Sequence, residues 1–325
     1  MSTPRVVVGV PLFRHADYLP QALETLLGQT LREVAFVLCD DRSPDDSVAV
    51  AARYAQSDPR IHLEINERRL GLVANWWRTF ELARRLHPDA EYFVWGSDHD
   101  AWHPRFLTEV VAALDARPGA VLAFPRNVRV DADGSVLRKP WTDRGTDGLQ
   151  EPVARVRAAC DRMVPGDMVY GVVRAETMAR TRFRPVLVPD RLLLSELAML
   201  GEFVEVPQVL WHRRFKHPVT AARQRASLFG SRAPWWTRLP WWVPHAACLT
   251  ASALKGPAFP GLSRGRRLLL GAVVVRKEAA MHLRGQVSFT ANWLTHELDR
   301  PRNRIVGAVL RAAQLLLRRR PVKEP

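Results

Sequence analysis

The chain has 325 residues, 47% of them hydrophobic and 25% charged, enough apolar mass for a sizeable core and too much for global disorder. Its net charge of +15 sits in the last third: residues 221–325 hold 19 Lys and Arg against four acids, while residues 1–220 hold 29 of each. A neutral body with a basic extension points to an anionic partner for the tail, a membrane surface or a nucleic acid.

Three scattered cysteines, Cys39, Cys160 and Cys248, form no C-x-x-C pair, so neither a disulfide framework nor a zinc site is expected, and a reducing cytoplasm fits. The start, MSTPRVVVGVP, lacks the apolar h-region of a signal peptide. The longest apolar run, Leu268 to Val275, falls well short of the ~20 residues that span a bilayer. A cytoplasmic protein is expected.

In chain order, Arg5 to Val10 reads as a buried parallel strand ending at Pro11-Leu12-Phe13. Asp17 can cap a helix with Leu19, Leu23, Leu26 and Leu27 on its apolar face. Val34 to Cys39 is a second strand ending in Asp40-Asp41, and Asp45 or Asp46 caps the helix that follows. Ile61 to Ile65 is a third strand, leading through Asn66-Glu67-Arg68-Arg69 to a helix from Gly71. In that helix Trp76 and Trp77 read as core rather than as a ligand platform. Tyr92 to Trp95 is a fourth strand, ending in Gly96-Ser97-Asp98-His99-Asp100; a helix from Pro104 to Ala116 and a strand from Ala120 to Phe124 follow. Strand–helix alternation with short connections implies a mostly parallel sheet with helices on both faces.

After Asp131 the pattern breaks at the tight turn Asp133-Gly134. Glu151 to Met163 reads as helix and Met168 to Val173 as extended. Asp190 to Gly201 reads as a helix capped by Asp190 and closed by Gly201, and two short strands, Phe203–Val206 and Val209–Trp211, bracket Pro207. Beyond residue 220, Trp235-Trp236 and Trp241-Trp242 lie among prolines and arginines. The expected organisation is a catalytic domain over 1–220 and a basic, Trp-rich, mainly helical extension over 221–325.

Two successive strands ending in aspartate pairs place four carboxylates at the sheet's carboxyl edge, where open α/β sheets bind ligands. Adjacent Asp98 and Asp100 repel unless a cation sits between them, and hard oxygen ligands suit Mg²⁺ or Mn²⁺. Asp40 and Asp41 also fit a plain turn-capping role. No G-x-G-x-x-G follows the first strand and no P-loop or G-x-S-x-G elbow is present. The ten histidines show no H-E-x-x-H or paired spacing, so no histidine metal site is expected.

The ordered segments VVVGVPLFRHADYLPQALETLLGQT, VLCDDRSPDDS, Asn66…Gly71…Asn75 and WGSDHDAWHP resemble the motifs of family-two inverting glycosyltransferases of the GT-A fold, over roughly residues 5–215. The resemblance implies a Rossmann-like nucleotide-diphospho-sugar transferase that moves a sugar from a nucleotide-sugar donor to an acceptor hydroxyl with inversion. It assigns the donor to Pro11, Phe13, Asp41, Gly71, Asn75 and Asp98, and the metal, Mg²⁺ or Mn²⁺, to Asp100 with Asp98. Where the family more often has Asp-x-Asp-Asp, this chain reads Ser97-Asp98-His99-Asp100. The resemblance also makes Asp190 the catalytic base and His212 and Arg214 acceptor-side candidates; Tyr170 and Gly171 are further acceptor-side candidates, a strand glycine being as often a bulge. Lys216 stands where a family histidine is expected, with His212 or His217 as substitutes.

Tryptophan favours the water–acyl boundary and basic residues favour anionic headgroups, so residues 221–325 are expected to lie on the inner face of the cytoplasmic membrane. A lipid-linked or glycan acceptor in polysaccharide or glycolipid synthesis suits that placement. The rivals are a nucleotide-sugar-forming nucleotidyltransferase and a basic nucleic-acid-binding protein. The neutral body speaks against the second, and no nucleic-acid partner is expected.

Overall fold

The computed structural model describes residues 3–131, 134–138, 142–214, 221–229, 233–255 and 262–298. The first half is β1 (Val6–Leu12), α1 (Leu19–Leu27), β2 (Val34–Asp40), α2 (Ser47–Ser57), β3 (Ile61–Ile65), α3 (Leu72–Leu86) and β4 (Tyr92–Trp95). Then come β5 (Ala101–Trp102), α4 (Phe106–Asp115), β6 (Ala120–Val130), β7 (Val136–Arg138), α5 (Pro152–Arg162), α6 (Pro165–Met168) and β8 (Val172–Arg174). The remainder is α7 (Ala175–Met178), α8 (Pro189–Leu200), β9 (Glu202–Arg214), α9 (Ala221–Phe229), α10 (Trp242–Lys255) and α11 (Arg264–Leu298).

One sheet runs β3-β2-β1-β4-β8-β6-β9-β5, with β7 alongside β6. β3, β2, β1 and β4 are mutually parallel, as are β6 and β9; β8 lies antiparallel between β4 and β6. The two-residue alternation of a strand divides the apolar side chains between its faces. Val6, Val8, Val10 and Leu12 of β1 join Tyr92 and Val94 of β4 in one core, together with Leu19, Leu23 and Leu26 of α1 and Phe106 and Val110 of α4. Val7, Phe93 and Trp95 join the other, with Phe80 of α3 and Leu192, Leu193 and Leu197 of α8. The expected α/β architecture with helices on both faces is what the chain forms.

Several local expectations change. β6 continues to Val130 instead of ending at Phe124, because its outer half pairs with β9. β9 is a single strand rather than two: Pro125 pairs with Val206 and Arg126 with Val209, so Pro207 sits in a bulge where its missing N–H costs no ladder bond. Met168 ends a helical turn, and extension begins only at Val172. Asp17 does not cap α1, whose N-cap is Tyr18 without a side-chain bond. Asp133 lies outside the described residues.

Contacts divide the chain into residues 1–275 and 276–325. Within the first unit α10 is tied to the α8 region: buried Glu196 accepts from Arg184 at 2.5 Å and from Ser252 at 2.9 Å. His245 Nε2 lies 2.8 Å from the Leu187 carbonyl. Trp236 packs against the core while Trp235 is 74% exposed. Among the described residues no helix is long and apolar enough to cross a membrane.

Candidate active site

β1, β2 and β4 all end at the same edge of the sheet, and the chain leaves each end with polar residues. A cavity of about 360 Å³ opens there. Of the residues singled out in the sequence, Pro11, Phe13, Asp41, Asn75, Asp98 and Tyr170 line it together. Trp76, read as core, lines it as well while packing on Trp95 at 5.1 Å and Tyr170 at 5.4 Å between ring centroids. Arg14 and Arg69 also reach the cavity, their guanidinium carbons 5.0 and 4.2 Å from the Phe13 ring centroid. Both are exposed cations beside a polar cleft, and neither stood out in the sequence because arginines in loops are common.

The Asp40-Asp41 pair divides its work. Asp40 accepts from the Ser43 amide at 2.9 Å and its hydroxyl at 2.5 Å, which is turn capping. Asp41 reaches the other way. Its Oδ1 accepts from the Leu70 amide at 2.6 Å and Asn66 Nδ2 at 3.1 Å, and its Oδ2 from the Gly71 amide at 2.8 Å. A carboxylate offers about four lone-pair sites, so roughly one remains for a ligand N–H. Gly71 makes its bond at φ 87° and ψ 165°, a region open essentially to glycine alone. Asn75 completes the frame: its Oδ1 accepts from Asn66 Nδ2 at 2.8 Å, and its Nδ2 donates to the Cys39 carbonyl at 2.9 Å.

Asp98 and Asp100 also part company. Asp98 Oδ1 lies 2.8 Å from His15 Nδ1 and 2.6 Å from His99 Nδ1, and its Oδ2 accepts from the Phe13 amide at 3.2 Å. Burial works to raise this carboxyl, but the bonds from His15 and His99 outweigh it and hold it well below the usual carboxylate range. Asp100 is 1% exposed and does not line the cavity. It accepts from the Arg214 amide at 2.7 Å and the Trp211 indole at 3.1 Å, which fastens the acidic loop to β9. Burial raises its carboxyl, the nearby His99 and the Arg214 amide offsetting only part.

The acceptor-side candidates are dispersed. Tyr170 lines the cavity, half-buried among Trp76, Trp102 and Trp211. Burial and then the charge of Asp100 push its hydroxyl up, with smaller contributions from Asp98 and Asp190. Gly171 faces the sheet: a Cβ there would stand 2.6 Å from the Ala123 carbonyl, so it serves the close approach of β8 to β6. His212 is exposed on β9 and is not a lining residue. Arg214 spans the loop and α1, donating to the His99 carbonyl at 2.5 Å and Gln21 Oε1 at 2.9 Å. Lys216 and His217 lie outside the described residues.

Asp190 is not the cap of α8. Val188 holds that position at φ 53°, Pro189 begins the helix, and Asp190 is in its first turn, half-buried, its Oδ1 accepting from the Arg191 amide at 3.0 Å. It does not line the cavity, but its charge acts on Tyr170, which does. Burial pushes its carboxyl up, with the Arg191 amide and the charge of Arg213 pulling weakly back.

Residues 7–160 match the family described as glycosyl transferase family 2. Over that span the chain resembles a family 2 glycosyltransferase domain. An uncharacterized protein of Mycobacterium tuberculosis is 33% identical over 134 residues, 40% of this chain and 39% of that protein. EpsJ of Bacillus subtilis, named a glycosyltransferase, is 33% identical over 60 residues, 18% of this chain and 17% of its own. The chain thus spans two fifths or less of the curated relatives it matches. Among solved structures, residues 1–349 of S. aureus TarS share its fold at TM-score 0.57 and 11% identity, over 85% of this chain and 72% of that one. The mannosyltransferase PcManGT of Pyrobaculum calidifontis, solved with GDP-Man and Mn²⁺, matches at TM-score 0.51 and 19% identity, over 87% and 88%. The fold is the GT-A type.

Among the described residues, His15, Asp98 and His99 form a group that could hold a metal, its ligand atoms within 4.8 Å of one another. The expectation of no histidine metal site rested on local spacing, and these ligand atoms converge without it. The two histidines come from the β1 and β4 ends, which parallel pairing sets side by side, and no local spacing in the sequence announces it. An ionised carboxylate with two imidazoles is a sound donor set for a divalent transition ion.

Proposed function

We propose that this enzyme transfers a sugar from a nucleotide-diphospho-sugar to an acceptor hydroxyl with inversion at the anomeric carbon, assisted by a divalent cation. The observation that carries the reading is the single cavity in which Asp41, Asn75 and Asp98 meet at the ends of three parallel strands. Asp41, with most of its lone pairs filled, turns the remaining one to a base N–H, and Pro11 and Phe13 pack beside the base. Gly71 lets the backbone run close to the ribose and diphosphate without a side chain in the way. Arg14 and Arg69 offset phosphate charge at the mouth. Asp98 holds the cation, while Asp100 secures the loop to β9. When bound, the cation acts as a Lewis acid on the leaving diphosphate.

Asp190 takes the proton of the acceptor hydroxyl as that oxygen bonds to the anomeric carbon. The carbon–oxygen bond to the phosphate breaks, and its electron pair leaves with the nucleoside diphosphate. A carboxyl raised by burial suits a base, since basicity rises with pKa. Tyr170 shapes the acceptor side.

A panel of nucleotide-sugars, assayed with Mn²⁺, with Mg²⁺ and after chelation, tests the reading. Release of nucleoside diphosphate that needs the metal supports it. Formation of a nucleotide-sugar from nucleoside triphosphate and sugar 1-phosphate would place the chemistry in the nucleotidyltransferase class instead.

A membrane-borne acceptor is the second reading, favoured by an apolar groove of about 490 Å³ in the C-terminal region. Trp235, Trp236, Leu239 and Val243 line it, and Trp235 is exposed. With the charge excess beyond residue 220, this suits an enzyme resting on the inner face of the cytoplasmic membrane.

A further inference from the structure

We propose that His15 and His99 join Asp98 as direct metal ligands, and that this mixed nitrogen–oxygen set selects Mn²⁺ over Mg²⁺. The proposal rests on the metal-assisted reading above and assigns the ligands that the reading leaves open. The acidic segment supplies only one carboxylate to the cavity, because both oxygens of Asp100 are bonded to Arg214 and Trp211 away from it. One carboxylate is a weak holder for a divalent ion. The cavity wall beside it presents two imidazoles, both lining residues, with ring centroids 4.4 Å apart.

The spacing is suited to coordination. Two ligands at right angles on an ion at ~2.1 Å stand about 3 Å apart. His15 Nδ1 and His99 Nδ1 are 2.8 and 2.6 Å from the same Asp98 oxygen. Each Nδ1 already lies at hydrogen-bond distance from that oxygen, and a ring whose proton sits on Nε2 would present its Nδ1 lone pair to a cation there. The backbone limits alternatives: Phe13 N–H fixes the second Asp98 oxygen at 3.2 Å, and Ser97, 2% exposed, supports His99 N–H at 3.4 Å.

The metal preference follows from ligand chemistry. Mg²⁺ is held through carboxylates, waters and phosphates and sheds water reluctantly, so two imidazoles are poor partners for it. Imidazole suits transition ions, whose affinity at such a site climbs from Mn²⁺ upwards. Two neutral nitrogens and one carboxylate leave the site a net charge of +1 when filled. That surplus remains available to the donor's diphosphate, which a site of two carboxylates would cancel.

The test uses the chelator-stripped full chain with Mn²⁺ alone, then with Mn²⁺ and pyrophosphate. Loss of the free Mn²⁺ electron paramagnetic resonance signal gives affinity, and pulsed measurement of the bound ion detects coupling to imidazole nitrogen. The expected result is nitrogen coupling in the parent. His15→Ala and His99→Ala should each bind Mn²⁺ at least tenfold more weakly, with circular dichroism melting curves like the parent's. A hundredfold excess of Mg²⁺ should leave Mn²⁺ bound. Bound Mn²⁺ without nitrogen coupling, unchanged affinity in both folded histidine variants, or displacement by equimolar Mg²⁺ overturns the ligand assignment and spares the metal-assisted reading. No Mn²⁺ uptake even with pyrophosphate, together with full transfer after chelation, overturns both.

Discussion

Replacing Gly71 by alanine isolates one backbone conformation. An added Cβ meets nothing within 4 Å, so steric crowding is absent and only the dihedral angle is at stake. At φ 87° and ψ 165° a residue with a side chain carries strain of order 1–3 kcal/mol. The chain can bear that strain, or relax and release the Gly71 amide from Asp41, forfeiting a charge-assisted bond of about 1.5–3 kcal/mol. Both routes cost about the same, and either one disturbs the Asp41 carboxylate that the Leu70 and Gly71 amides hold, by strain in that loop or by loss of the bond. The expected outcome is a melting temperature lower by roughly 2–4 °C for each kcal/mol. Donor KM should rise about tenfold or more, since 1.4 kcal/mol corresponds to a factor of ten. Gly148 is the matched control: φ is 81°, nothing lies within 4 Å of its Cβ, and its amide donates to the Glu202 carboxylate at 3.2 Å, away from the cavity. Gly148→Ala should lower the melting temperature comparably and leave donor KM unchanged. Equal KM in the Gly71→Ala variant and the parent, with the melting loss present, would refute the link between this loop and the donor.

Asp190→Asn should cut transfer by roughly 10²–10⁴-fold with donor binding retained, the span a general base contributes; near-normal turnover makes Asp190 a structural residue. Because burial raises this carboxyl, the folded state holds its proton more tightly than the unfolded one, and the ionised form costs stability above the ordinary carboxylate range. Asp190→Asn should therefore melt at or above the parent at neutral pH, and the gap should close as pH falls below that range. Trp211→Phe removes the indole donor to buried Asp100 and should cost about 1–3 kcal/mol in urea unfolding, an unchanged midpoint speaking against the fastening role. The full chain should co-sediment with anionic vesicles, less as salt rises, and Trp235→Ala should weaken that binding; equal binding to neutral vesicles removes the membrane reading.

The strands and the helices packed on them were legible because apolar runs and leucine spacing are local signals: Val6–Leu12, Val34–Asp40 and Leu19–Leu26 lie where those patterns put them. Asp41 and Asp98 were legible as cavity residues for the same reason, each lying just past a recognisable strand. Pairings across the sheet were not. Eighty-three residues separate His15 from Asp98, and only the register of β1 on β4 makes them neighbours. Which aspartate of Asp98 and Asp100 faces the cavity was hidden too, since Trp211 and Arg214 of β9 decide it. The cap of α8 was misread because a valine at positive φ has no sequence signature. Pro207 looked like a strand break, and the partner strand absorbs it as a bulge.

β8 runs against its neighbours, and that reversal has an evolutionary consequence. A parallel strand offers its exit to the reactive edge, whereas an antiparallel one offers its entrance. The register of β8 on β4 therefore brings Tyr170, which precedes the strand, to the rim beside Gly96. Residues 7–160, the span that matches the family, supply the exits, and Tyr170 comes from beyond it. Mutation in the later segment can vary one wall of the cavity while the other is inherited intact. A chimera joined near residue 160 would exchange the two walls separately, so the specificities they set can diverge at different rates.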